Sequence, residues 1–309
     1  MEHLAFALSV TGPIFLMIIA GYLLSTRGVV RERFIDDASR LVFHITLPAL
    51  LFISIYTSNA KPMEEIPLLT AGILGSFIMI PLAWLLARPV MPGDRSAFIQ
   101  GAYRGNAAII GLAWVEKAYG VSGVSHSAAL VAALTIQFNV IAVVLFVLYN
   151  QNTGFGWRKL ALELFKNPLI LGVIAAILCR ILEVKLPDML RDTIQYLASV
   201  SLPLGLICIG ASMKLGLLLH SSPTALVASL LKLVAAPAIA LVIGWMMGLR
   251  PEYLGYLLLM TGAPCAISAF VMAHSMGGNS QLTANIVGLS TLLSVVTASI
   301  GLALLKVYF

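Results

Sequence analysis

The chain has 309 residues, of which 60% are hydrophobic and 10% charged, with a mean hydropathy of +0.99. Soluble domains carry roughly 45–50% apolar and about 25% charged residues, so this composition excludes a soluble domain and defines a polytopic membrane protein. The net charge of +6 is not a nucleic-acid signal, because the basic residues sit mostly in loops between apolar runs, where they orient helices.

A helix needs about 20 apolar residues to cross a hydrocarbon core of about 30 Å. Ten segments are predicted to do so: 4–25, 38–58, 66–87, 96–119, 124–149, 163–182, 193–214, 224–248, 252–275 and 281–306. The first lacks a basic n-region and a small-residue cleavage site, so it reads as a membrane helix and not a signal peptide. The longest polar pieces are STRGVVRERFIDD (25–37) and NQNTGFGWRK (150–159), too short for a soluble domain. Cys179, Cys208 and Cys265 all lie within apolar segments and read as small buried residues. In the first half, Arg27, Arg31, Arg33, Arg40, Arg88, Arg95, Arg158, Lys159 and Lys166 fall on one side, and only Lys61 and Lys117 on the other. The Lys/Arg bias puts the first side in the cytoplasm and both termini outside. Arg180, Lys185 and Arg191 give the second half a weaker, contrary bias.

The ten spans divide into two sets of five with matching punctuation. Pro13 in TGPIFLMIIAG aligns with Pro168 in KNPLILGVIAA, and Pro48 in ITLPALLFISI with Pro203 in VSLPLGLICIG, both at an offset of 155. Pro81 aligns with Pro237 at 156, and Gly105 in GNAAIIG with Gly262 in GAPCAIS at 157. A five-span unit repeated in tandem enters the membrane from opposite sides, so residues 1–150 and 151–309 are predicted to be inverted repeats, the layout of many secondary transporters.

The fourth span is apolar at its flanks and polar in its middle: QGAYRGNAAIIG, residues 100–111. Asn106 lies about ten residues in, which at ~1.5 Å per residue is about 15 Å deep, near the midplane. Pro264 occupies a similar depth in the ninth span. RGN and GAPC are therefore predicted to break the two equivalent helices at one level. Lipid cannot satisfy backbone groups freed by a break, so these must face protein or a water-filled cavity. Half-helix N-termini carry partial positive charge and free N–H donors. Two of them converging make an anion site.

At these residues the chain resembles the auxin efflux carrier family, which includes bacterial malonate-carrier-like permeases and, more distantly, plant PIN-type exporters. The resemblance lies in GAPCAISAFVMAHSMGGNSQLTANIVGLSTLLSVVT (262–297), GNAAIIGLAWVEKAYG (105–120) and ITLPALLF in the second span. It implies an all-α protein of ten transmembrane helices in two inverted five-helix repeats, with broken crossing helices 4 and 9. Sodium/proton antiporters and bile-acid symporters share that architecture. It also implies a scaffold of helices 1, 2, 6 and 7 (4–58, 163–214) that forms a homodimer. A transport domain of helices 3–5 and 8–10 (66–149, 224–306) would slide against it, carrying carboxylate anions across a bacterial inner membrane. The plant exporters' long hydrophilic loop is absent, leaving only about 150–162 between the halves.

All thirteen acidic residues fall in loops or near helix ends, which argues against cation exchange by a buried acid. Positive charge does enter the membrane, at Arg104 and Lys232. Each costs about 2.5–3.5 kcal/mol on insertion scales. Lys232 is expected to snorkel to a surface; Arg104 either snorkels, attracts the anion or closes the site from inside. Asn106 is assigned to substrate, to capping of the broken helix end, or to both. Gly105, Pro264, Cys265 and Ser268 complete the expected site, with close packing of small residues as the bland alternative. Gln137 and Asn139 are candidate contacts to substrate or coupling ion, although such amides more often link helices. His44 and His274 are expected to be structural rather than proton relays.

The expected function is a secondary carrier for a small organic anion, not an enzyme, with no cofactor or metal, no nucleic-acid partner, and H+ or Na+ as coupling ion. A sodium-coupled symporter of the bile-acid type ranks second, because Asn106, Gln137 and Asn139 are few ligands for sodium. The G-x-S-G of GVSG (120–123) raises an intramembrane serine protease as a remote alternative around Ser122. The sequence contains no Walker A motif for an ATP-driven pump.

Overall fold

The computed structural model describes residues 2–58, 62–149, 162, 165–213 and 222–308. Most of the expected linker 150–162, with Arg158 and Lys159, lies outside the described residues, as do Lys61, Glu163 and His220.

Described elements are helical throughout. They are α1 (Glu2–Thr26), α2 (Glu32–Leu41), α3 (Leu47–Tyr56), α4 (Pro62–Leu86), α5 (Arg95–Tyr103), α6 (Leu112–Tyr149), α7 (Pro168–Ile181), α8 (Asp188–Ser212), α9 (Pro223–Leu230), α10 (Ala236–Met246), α11 (Pro251–Thr261), α12 (Ile267–Ser275) and α13 (Ser280–Tyr308). Seven continuous helical stretches among the described residues are long and apolar enough to cross a bilayer. The ten predicted spans differ from these seven at three places. The ninth, 252–275, is divided into α11 and α12. The fourth, 96–119, is divided after Tyr103, and its second half runs on into the fifth as one stretch, Ala107–Phe146. The sixth is represented by the 14-residue α7.

The run from Leu112 to Tyr149 is not straight. Gly120 sits at φ 68°, ψ −165°, outside helical geometry, so the chain turns there; a side chain would be strained at that φ. A second correction concerns VVRERFIDD, read as loop. Helix α2 begins at Glu32 within it and buries Ala38 on its inner face, so a charged stretch with helical spacing forms the lead-in to the second span.

Two prolines explain two local irregularities. A proline ring collides with the carbonyl four residues back, residue 44 for Pro48 and residue 233 for Pro237. Both carbonyls fall in π-helical segments, Val42–Thr46 and Leu231–Ala235. The widened turn accommodates the ring without ending the helix.

Helix α1 packs on α8 and α13, and α3 packs on α7 and α8. The α1–α8 crossing is a contact of backbones. A methyl at Gly21 would overlap the carbonyl of Ile207, and one at Gly210 would overlap the carbonyl of Ile18. In a membrane, where lipid tails match Leu in polarity, such close approach of small residues supplies the packing energy. On the other side, α4 packs on α5, α6 and α10, while α13 packs on α9 and α12. Helices α5 and α11 are deeply placed: in α5, every residue from Ser96 to Tyr103 is buried, and in α11 every residue from Tyr253 to Thr261. They deliver the two breaks to the interior.

Candidate substrate site

Helix α5 ends because Arg104 is extended, at φ −81°, ψ 109°. Helix α12 begins after Ala266, also extended, at φ −75°, ψ 142°. The two breaks meet. Gly105 and Cys265 form an isolated antiparallel bridge, in which Asn106 N–H donates to Pro264 O at 2.7 Å and Ala266 N–H to Arg104 O at 3.4 Å. A third break amide, Cys265 N–H, donates to Ser290 Oγ on α13 at 3.0 Å. The breaks thus satisfy part of each other's backbone, which explains why the RGN break persists without a proline.

This alters the expected source of anion-binding donors. The amides of Asn106 and Ala266 are spent on the bridge. Those left are the first-turn amides of the segment starting at Ala107 and the amides of Ile267 and Ser268, which have no intrahelical partner by geometry; the Ala269 amide already donates to Ala266 O at 2.9 Å. Neither start has a side-chain cap. The Asn106 side chain, 8% exposed, therefore does not cap its own helix.

Arg104 does not snorkel. It is 6% exposed, and its guanidinium donates to Asn139 Oδ1 at 2.8 Å, to Ser268 Oγ at 3.1 Å and to Phe138 O at 3.4 Å. Met272 Sδ lies 2.9 Å from Nη1. Ser268 is exposed and Asn139 only partly buried, so these two form the rim of the guanidinium pocket. Lys232 does not snorkel either: it is 1% exposed. Its Nζ donates to the carbonyl of Thr261, the last residue of α11. A methyl at Gly105 would lie 2.9 Å from Lys232 Cε and 3.0 Å from Nζ, so the bridge glycine makes room for the ammonium. Cys265, 1% exposed, feels the field of both cations.

Among the described residues the buried charged side chains are Arg104 and Lys232; no Asp or Glu is buried. Two cations at one crossing without a counter-ion are complementary to an anion. The structure brings together Arg104, Gly105, Asn106, Pro264, Cys265, Ser268 and Asn139. It does not bring in Gln137, whose Nε2 donates to Ile73 O on α4 at 3.3 Å and whose Oε1 is buried without a partner. His44 is exposed and bonds Arg40 O within its own helix; His274 is exposed and stacks on Phe270. Sequence reasoning missed Lys232, Thr261, Met272 and Ser290 as members of the crossing. Only the charge at Lys232 was a usable signal.

A separate cavity of about 440 Å³ is lined by Ser54, Ser122, Ser125, His126, Arg250 and Tyr253, among others. It lies roughly 20 Å along the helix from Asn106, so it is not the crossing. Ser122 and His126 share its wall. The His126 Nδ1, however, faces Tyr253 OH at 3.4 Å and Glu65 Oε1 at 3.7 Å. No Ser122–His126 hydrogen bond occurs among the described residues.

An all-helical membrane protein with two interrupted helices paired at a buried cationic crossing belongs to the class of polytopic transporters. The family described as "Membrane transport protein" matches the chain twice, over residues 9–156 and 155–302, and the chain belongs to this family, the auxin efflux carriers. It is 24% identical to an uncharacterized transporter of Methanothermobacter thermautotrophicus, over 92% of this chain and 93% of the relative. An uncharacterized transporter of Methanocaldococcus jannaschii is 22% identical over 93% and 95%, and the uncharacterized transporter YfdV of Escherichia coli K12 is 24% identical over 89% and 92%.

Proposed function

We propose that this chain is a secondary carrier that moves a small carboxylate anion across a bacterial inner membrane, binding it where the two broken helices cross. The observation that carries the reading is the Arg104 guanidinium, buried at the break on neutral partners only. In the proposed architecture ten helices form two inverted five-helix repeats, the broken α5/α6 and α11/α12 being equivalent. The family's two matches, one over each half, support this. The elements 4–58 and 163–214 form a fixed scaffold through which two copies associate, and 66–149 with 224–306 moves as the transport body, both termini facing outward. Arg104 supplies the charge that holds the carboxylate. Asn106 and the first-turn amides at Ala107 and Ile267 orient it, Ser268 and Asn139 frame its entry, and Gly105, Pro264 and Cys265 form the wall. The carrier is driven by H+ or Na+.

A thermal-shift screen of the purified protein against mono- and dicarboxylates, with and without sodium, tests the reading. A carboxylate should raise the Tm of the wild type and fail to raise that of Asn106→Ala. Equal stabilisation of both removes Asn106 from the site, and a response only in sodium favours the bile-acid type of symport.

A further inference from the structure

We infer that Lys232 carries a coupling proton, so that each singly charged anion crosses together with one proton. This rests on the anion reading above and adds its coupling. The starting point is the placement of the ammonium. The segment Leu231–Ala235 packs against α5, α9, α10 and α13. Helices α9 and α10 contain no titratable side chain, and α13 contains only Lys306 and Tyr308, at its far end. From α5 and its C-terminal boundary come Tyr103, whose hydroxyl donates to Phe138 O at 3.3 Å, and the cation Arg104. The other break contributes the thiol of Cys265. No carboxylate faces Lys232 among the described residues. Its partner is Thr261 O, at the C-terminal end of α11, the negative end of that helix dipole.

Charge arithmetic then separates the two cations. With a monoanion bound and both groups protonated, the site carries one net positive charge. If the anion leaves and nothing else changes, the empty site must recross the membrane with two uncompensated charges, each expensive in a low-dielectric interior. A guanidinium cannot relieve this, because it does not deprotonate in proteins, whereas a buried lysine can give up its proton. Lys232 –NH3+ releases H+ to water on the side where the anion departs and returns as –NH2, its lone pair intact. Loaded and empty carriers then bear the same charge. One A− and one H+ have moved in the same direction, and the cycle is electroneutral. Gly105 fits this role, since any side chain there would displace the ammonium from the wall of the site.

Isothermal titration of the detergent-solubilised full chain with pyruvate, oxalate and malonate, in buffers of differing ionisation enthalpy from about pH 6 to about pH 10, counts protons bound with the anion. Wild type should take up about one proton per pyruvate within that range. Lys232→Arg, which keeps the charge but cannot shed it, should bind with no uptake, as should Lys232→Gln if it folds. In proteoliposomes a pyruvate gradient should move protons for wild type and not for Lys232→Arg. Pyruvate binding without proton uptake at every pH, or equal uptake by wild type and Lys232→Arg, overturns the inference and leaves the anion site standing. Failure of all three anions to bind wild type, or equal binding by Arg104→Gln, overturns the anion reading and the inference with it.

Discussion

Replacing Arg104 by Gln should separate binding from folding. A carboxylate held about 4 Å from the guanidinium, at an effective dielectric of about 20, gains about 4 kcal/mol of Coulomb energy. Gln preserves shape and about 1 kcal/mol of hydrogen bonding, leaving a loss near 3 kcal/mol, or roughly a hundredfold in affinity. Stability responds differently. The guanidinium's bonds to Asn139, Ser268 and Phe138 O are lost, at about 1.5 kcal/mol or more each. Set against this is the insertion cost of about 2.5–3.5 kcal/mol that a buried Arg imposes. The net is a loss of about 1–2 kcal/mol, so the variant should remain folded with a Tm a few degrees below wild type. The assay is equilibrium binding of a labelled carboxylate to purified wild type and Arg104→Gln, with Tm measured on the same samples. A folded variant that keeps its affinity within tenfold would show that Arg104 is not the anion's counter-charge.

Other substitutions test the frame and the crossing separately. Gly210→Leu forces α1 and α8 apart where they touch through backbone; overpacking of this kind costs about 1–3 kcal/mol, so Tm should fall while the carboxylate affinity of the folded fraction is kept. Gly105→Ala pushes its methyl onto Lys232, 2.9 Å from Cε, and since a flexible side chain can yield, transport should drop severalfold with a Tm loss below that of Gly210→Leu. Asn167 caps α7 by accepting from Leu169 N–H at 3.0 Å and Ile170 N–H at 3.4 Å; Asn167→Ala should cost about 1 kcal/mol of stability and leave flux per folded molecule unchanged, as paired denaturation and uptake assays would show.

The legible parts of this molecule were those with local signals. An Arg-Gly-Asn run and an Ala-Pro-Cys run inside apolar segments each mark a break on their own, and both breaks lie where the residue types put them. Legibility failed where the decisive partner is distant in sequence. Lys232 looks like any snorkelling lysine a few residues into a span; only the approach of Gly105 and Thr261, residues on two other elements, shows that its head stays inside. The consumption of the Asn106 and Ala266 amides by the opposite break was invisible for the same reason, because each break looks unsatisfied by itself. Gln137 and Asn139, two residues apart on one helix, look alike in the sequence, yet the helical rotation between them sends one toward α4 and the other to Arg104. The Arg- and Asp-rich stretch before Ala38 looks like a polar linker by charge alone, although its spacing is that of an amphipathic helix.

Locating a bound anion is the most direct check on the crossing as the transport site. Crystals or particles of the full chain with a bromine-bearing carboxylate that does not alkylate, such as 4-bromobenzoate, would mark the ligand by its heavy atom. The carboxylate should lie within hydrogen-bonding reach, about 3 Å, of the Arg104 guanidinium, beside Asn106 and the start of α12. Density instead in the cavity between Ser54 and Arg250, with the crossing closed around Arg104 and Lys232, would contradict the account.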